Sequence, residues 1–260
     1  HLINSLMCVC NIGDTINVEK SHKFDLQITG KFKDLLDGKQ NIVEDVFFNL
    51  KKIYGIKKNV KIKIIKNLPI ASGIGGGSSN AASFFRIIES LFNLFIKKAE
   101  KIKILNNFGS DVPFCYFQKP SIVRGIGEKI QPAASFHEFY ILLINPLIQI
   151  STKEIFERKN RTYTNSPTNI KSGLNRKQFI EILSKSSNDL EKVVIKSFPQ
   201  VKSIMDFLQN ETNSIFSRMS GSGGTCFGLF NDLNDLELAF NKVDKTKKKW
   251  WFKKGKILNK

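Results

Sequence analysis

Hydrophobic and charged residues alternate through residues 60–64, where Lys61 and Lys63 separate Val60, Ile62 and Ile64. That two-residue period predicts a strand with one buried face. Beyond residue 80 the period lengthens: Ala81, Phe84, Phe85, Ile88, Leu91, Phe92 and Phe95 recur at three- and four-residue spacing, the stripe of an amphipathic helix. The same reading predicts strands over 6–18 and 24–28, with turns supplied by Gly13-Asp14 and residues 20–23, and a helix over 41–53 with Val43, Val46, Phe47 and Leu50 inward. It continues with a short helix over 100–107, a hairpin over 122–130 and a buried strand over 140–144. Residues 157–177 are polar and basic, with Pro167 and Gly173, and read as a mobile surface loop. Helices over 179–183, 188–198 and 199–208 follow, then a strand over 226–230, a helix over 233–243 and a basic tail around Trp250 and Trp251. Strands and helices mix without strict βαβ alternation, which predicts an α+β fold in two halves, 1–145 and 146–260.

Between the predicted strand and helix lie residues 69–80, Pro-Ile-Ala-Ser-Gly-Ile-Gly-Gly-Gly-Ser-Ser-Asn. Gly73, Gly75, Gly76 and Gly77 let the backbone curl tightly and approach a ligand. Ser78 or Ser79 is a suitable N-cap, and the helix start behind it offers unpaired amides and a positive dipole end. A glycine loop feeding a helix N-terminus is a phosphate cradle. It is not a Walker loop, which needs a Lys where Ser78 stands, nor a dinucleotide fingerprint, which needs a glycine there. A flexible linker would not be framed by a strand and a long apolar helix face.

Composition narrows the class only a little. Hydrophobic residues make up 41% and charged residues 25% of the 260, ordinary for a globular protein. No run approaches the ~20 apolar residues of a membrane span, and the start, His1-Leu2-Ile3-Asn4, does not read as a signal peptide. The net charge of +18 could mark a nucleic-acid or membrane-surface binder. However, Lys, Asn and Ile are crowded throughout the chain, and no basic stripe is interleaved with aromatics. The excess charge therefore reads as a composition bias. Cys8, Cys10, Cys115 and Cys226 lack paired Cys-x-x-Cys spacing, and His1, His22 and His137 form no ligand cluster. Reduced thiols in a cytoplasmic protein are expected.

The run from Pro69 to Ala82, PIASGIGGGSSNAA, resembles the nucleotide loop of the GHMP small-molecule kinases. Two further segments agree with that family in order and spacing: residues 108–114, Phe-Gly-Ser-Asp-Val-Pro-Phe, and residues 219–227, Met-Ser-Gly-Ser-Gly-Gly-Thr-Cys-Phe. The resemblance runs the length of the chain. It implies a ribosomal-protein-like nucleotide-binding half followed by a ferredoxin-like half, using ATP with Mg2+. By the same match, the main-chain nitrogens of Gly73, Ile74, Gly75, Gly76, Gly77, Ser78 and Ser79 would hold the ATP phosphates. Leu68, Pro69 and Ile70 would form an apolar wall, with Ala71 and Ser72 completing the loop. Asn41 and Lys66 would lie near the adenine, although as bare residues they read as a helix cap and a solvated charge. Asp111 would take or orient the proton of the attacking hydroxyl; by itself it could equally cap a following helix. His1 would read a cytosine edge and Phe156 would stack on the base, with Thr152 close by; core packing is the plain reading of Phe156. Residues 220–224 could approach substrate phosphates or form a tight turn.

The acceptor so implied is a cytidine diphosphate sugar alcohol, phosphorylated at its 2-hydroxyl in the non-mevalonate isoprenoid route. Homoserine- or mevalonate-type acceptors are the alternatives within the family, and nucleic-acid binding is the alternative outside it. The expected partners are small molecules only, with no nucleic acid or membrane, for a monomer or weak homodimer. No Mg2+ ligand is identifiable. The chain starts within an apolar run and without Met, as expected of a fragment. In the resembling family a strand carrying an active-site Lys and Asn precedes the position of His1, so catalysis is expected to need that segment.

Overall fold

The computed structural model describes residues 2–133, 138–158, 170, 174–246 and 248–258. The single strand expected over 6–18 is three: β1 (Ile3–Met7), β2 (Val9–Cys10) and β3 (Thr15–Ser21). All three belong to different sheets. Residues 6–10 are continuously apolar, so the sequence carries no mark of the first change of sheet. Residues 11–14 turn the chain into β3, and β4 (Asp25–Thr29) follows. Asn41 opens α1 (Ile42–Tyr54) with a capping box: its Oδ1 accepts from the Val43 amide at 3.2 Å, and the Glu44 carboxylate accepts from the Asn41 amide at 3.1 Å.

β5 (Asn59–Ile65) lies between β3 and β4, antiparallel to the first and parallel to the second. The register sets Ile16, Ile64 and Ile28 in one row and Val18, Ile62 and Leu26 in the next. Against this face pack Val43, Phe47 and Leu50 of α1 and Phe84, Phe85 and Ile88 of α2 (Gly76–Leu91). Burying one such side chain contributes about 1.5–3 kcal/mol, so the cluster fixes α2, and with it the loop that starts the helix. The helix stops four residues before Phe95, which is fully exposed rather than part of the apolar stripe. Asn93 takes a left-handed φ of 51°, the Leu94 amide reaches the Glu89 carbonyl at 2.8 Å and the Asn93 amide reaches Ser90 at 3.3 Å. That is a Schellman stop, and Asn tolerates the required backbone.

Next come α3 (Lys98–Asn106), α4 (Val112–Phe117) and the expected hairpin of β6 (Ser121–Gly125) and β7 (Lys129–Pro132), which extends β1 into a three-stranded sheet. The second half contains β8 (Tyr140–Asn145), α5 (Thr152–Arg158), α6 (Arg176–Ser184), α7 (Glu191–Ser197) and α8 (Pro199–Asn210). It closes with β9 (Phe216–Met219), β10 (Cys226–Phe230), α9 (Leu233–Lys245) and β11 (Trp251–Leu258). Its sheet is antiparallel, in the order β2-β11-β8-β10-β9. Val201, Ile204, Met205 and Leu208 of α8 face this sheet's core, as their spacing predicts.

Two expectations change here. The basic tail around Trp250 and Trp251 is a strand paired with β8 and β2, and Trp251 is buried. Its lysines stay outside, with Lys254 over the Phe240 ring at 4.6 Å and Lys256 over Tyr140 at 4.9 Å. β8 precedes the expected division after Asn145, yet it bonds to β10 and β11, while β2 from the start of the chain closes the same sheet. Strands from both ends of the chain therefore build the second half. Most of the surface loop expected over 157–177, including Pro167 and Gly173, lies outside the described residues. Among the described residues no helix is long and apolar enough to cross a membrane. The four cysteines are free, and burial pushes the Cys115 thiol up to about 12.

Candidate functional site

β5 ends at Ile65, and the chain then curls through residues 66–75 into α2. Ala71, Gly73 and Gly75 take left-handed φ values of 49°, 73° and 64°, and Ser72 Oγ donates to the Pro69 carbonyl at 2.8 Å. The expected N-cap at Ser78 or Ser79 is displaced: the cap position is Gly75, and both serines lie in the helix. Left-handed Gly75 allows the helix to begin three residues early, despite the weak helix propensity of glycine. No side chain caps α2, and its first turn carries no acid. The first-turn amides and the positive end of the dipole are thus left available to an anion. Leu68, Pro69 and Ser72 are buried, Ile70, Ile74, Gly76 and Ser78 are half-buried, and Ala71 and Gly77 are exposed.

The loop is braced from the second half of the chain. Ser220 Oγ donates to the Gly73 carbonyl at 2.9 Å, and the Thr225 amide donates to the Ser72 carbonyl at 3.1 Å. A methyl group on Gly73 would stand 2.5 Å from the Gly223 carbonyl oxygen and 2.6 Å from that of Ser220. The second glycine cluster, residues 221–224, is therefore the wall on which the first loop leans. Gly73→Ala is expected to part the two loops, since the left-handed φ alone costs about 1–2 kcal/mol in a non-glycine residue. Thermal melts with and without ATP check this: Tm should fall, along with the shift that ATP produces. Gly77→Ala, with open space around the added methyl, should leave the Tm without ATP unchanged.

At the root of the loop sits a residue that pattern reading places only in a turn. Asp14, in the turn before β3, has a fully buried side chain. One oxygen accepts from the amides of Asn67 at 2.7 Å and Leu68 at 2.8 Å; the other accepts from Lys66 Nζ at 2.5 Å and Asn80 Nδ2 at 2.9 Å. A single carboxylate thus ties the approach to the loop to the helix that leaves it. Trp251 Nε1 adds a bond to the Asn67 carbonyl at 3.1 Å. A Gly-Asp turn carries no local mark of this role, because the partners are supplied more than fifty residues later. Lys66, expected near the adenine, is buried with its ammonium on Asp14, and Asn41 is the cap of α1.

Asp111 occupies the cap position of α4, but its side chain makes no cap hydrogen bond. It takes a bond from Ser110 Oγ at 3.3 Å. Burial raises its carboxyl above the usual range, and that hydrogen bond only partly opposes the shift. The segment lies against the loop helix, where a methyl group on Gly109 would come within 3.9 Å of Ser78 Oγ. Behind it, Arg86 of α2 donates to the Tyr116 carbonyl at 2.7 Å and the Cys115 carbonyl at 3.1 Å, locking the C-terminal end of α4 to α2. Thr152, the first residue of α5, shares a 2.8 Å hydrogen bond between its Oγ1 and Ser222 Oγ, which joins α5 to the second glycine loop. Phe156, one turn on, is half-buried against the core of the second half. His1 lies outside the described residues. Among the described residues no group of three or more His, Cys, Asp or Glu could hold a metal ion.

Comparison with known proteins extends this picture. Residues 41–119 match the family model described as GHMP kinases N terminal domain, and residues 170–249 match GHMP kinases C terminal. A protein of Chelativorans sp. (strain BNC1) named 4-diphosphocytidyl-2-C-methyl-D-erythritol kinase is 33% identical, over 96% of this chain and 86% of its own length. A protein of the same name from Agrobacterium fabrum is 35% identical, over 97% and 87%. A crystal structure of 4-(cytidine 5'-diphospho)-2C-methyl-D-erythritol kinase superposes with a TM-score of 0.82 at 21% identity, covering 100% of this chain and 91% of that one. With both halves matched in order and relatives above 30% identity along nearly the whole length, the chain belongs to the GHMP kinase family.

Proposed function

We propose that this protein transfers the γ-phosphoryl group of ATP to the 2-hydroxyl of 4-diphosphocytidyl-2-C-methyl-D-erythritol. The observation that supports it most is the uncapped α2 N-terminus, held open by a second glycine loop and flanked by the Asp111 segment. In this reading the main-chain nitrogens of residues 73–79 grip the triphosphate, and Leu68, Pro69 and Ile70 wall the nucleotide. The acceptor oxygen forms a bond to the γ-phosphorus, the bond from that phosphorus to the β,γ-bridging oxygen breaks, and ADP leaves. Asp111 accepts or steers the hydroxyl proton. Its proton affinity, raised by burial, suits it to that work better than an ordinary surface carboxylate. Thr152, Phe156 and His1 are assigned to the cytidine side, and Asn41 and Lys66 to the adenine side. For Lys66 this means shaping the site through Asp14, since its ammonium is committed there. Magnesium would arrive on the triphosphate, because the described residues build no carboxylate cage for it. The protein is assigned to the cytoplasm.

Release of ADP in the full-length protein tests the acceptor. Turnover should be seen with 4-diphosphocytidyl-2-C-methyl-D-erythritol and be suppressed by CMP. Equal turnover of homoserine or mevalonate would refute the cytidine assignment. Indifference to ATP together with tight RNA binding would refute the kinase itself.

A further inference from the structure

Three lysines that the proposed reaction does not use stand at the far end of α2. The helix has 16 residues from Gly76 to Leu91, which puts its two ends about 24 Å apart. Just past its C-terminal end is an open surface pocket of about 300 Å³. Its floor is apolar: Ile56 is buried, and the Phe92 ring and Leu94 are half-buried. Its rim carries Lys20, Lys57 and Lys58, all exposed, and the half-buried Tyr54. Among the described residues none of these lysines pairs with a carboxylate within 4 Å. Glu19, next to Lys20, faces Lys61 at 3.8 Å, and Glu100 takes the Tyr54 hydroxyl at 2.8 Å. Lys20 Nζ lies 5.3 Å from the centre of the Phe92 ring, so a cation and an aromatic face already meet inside the pocket.

The wall is firmly set. The Schellman stop at Asn93 holds Phe92 and Leu94 in place, and the Ile56 amide bonds to the Lys51 carbonyl at 3.2 Å. Three lysines with no carboxylate of the described residues within 4 Å, around a floor of Phe92, Ile56 and Leu94, suit an anion that brings an apolar or ring portion with it. Simple anions would meet the lysines but leave the floor uncovered. We propose that this pocket is a second binding site, taking an organic phosphate whose phosphate lies among Lys20, Lys57 and Lys58 and whose ring or apolar part lies on Phe92, Ile56 and Leu94.

Phenyl phosphate and inorganic phosphate carry similar charge and differ by the ring, so they separate an organic phosphate from the free ion. Each is titrated calorimetrically into the full-length protein saturated with a non-hydrolysable ATP analogue. Phenyl phosphate is expected to bind saturably and about tenfold more tightly than inorganic phosphate. Lys57→Gln/Lys58→Gln should weaken it by about tenfold, while kcat and the KM for ATP stay unchanged. Equal affinities for the two probes, no saturable binding, or an unaffected double variant would each overturn the proposal. Lys57 and Lys58 lie outside the glycine loop, so the variant comparison stands even if that loop does not hold ATP.

Discussion

Asp111→Asn in the full-length protein is expected to lower kcat by about 10²–10⁴-fold, the usual contribution of a positioned acid or base, with ATP affinity nearly intact. The amide is close to isosteric and leaves the first turn of α2 untouched, so the nucleotide should bind as before. Stability separates this outcome from simple damage. Burial raises the Asp111 carboxyl above its ordinary value, so the folded state favours the neutral form. That contribution is fully present at low pH and is lost as pH rises through the folded-state value. Near neutrality the native charge is therefore a cost, and the neutral Asn should melt no lower than the wild type. The pH profile of kcat/KM should show an acid limb above the ordinary carboxylate range, and that limb should vanish in the variant. Full turnover, or a large fall in Tm, would remove Asp111 from the mechanism.

The second large effect lies at the root of the loop. Asp14→Ala strips the buried Lys66 ammonium of its partner and leaves the Asn67 and Leu68 amides without an acceptor. Breaking a buried pair from one side costs about 3–5 kcal/mol, a large part of the about 5–15 kcal/mol that holds a domain together. A Tm lower by about 10 °C is expected from calorimetry. Asp14→Ala/Lys66→Met removes both charges and should recover part of that loss. Because Asp14 also ties the loop to Asn80, the KM for ATP should stay raised in the double variant. A double variant that melts lower than the single one would show that the ion pair is not what Asp14 supplies.

The contrast between Asp111 and Asp14 shows how far sequence pattern reaches. Asp111 could be picked out because glycine, proline and apolar neighbours surround it within a few residues, in a recurring motif. Asp14 has only Gly13 beside it, and its partners at 66–68 and 80 come together through folding. Trp251 differs from its sequence expectation for the same reason. Lysines around two tryptophans look like a solvated tail, whereas strand pairing with Asn145 buries the ring and brings its nitrogen to Asn67. The N-cap of α2 falls at Gly75 rather than at a serine, because the left-handed backbone at Gly75 starts the helix three residues earlier.

Local chemistry alone therefore determined the strand, the glycine bend and the helix behind it, since backbone period and glycine freedom act over a handful of residues. It also carried the family, because three short motifs keep their order. Only the tertiary structure decided what holds the bend open: the Asp14 carboxylate, the Trp251 ring and the second glycine turn. Those contacts join positions tens to more than a hundred residues apart, and only chain folding brings such distant positions within hydrogen-bonding distance.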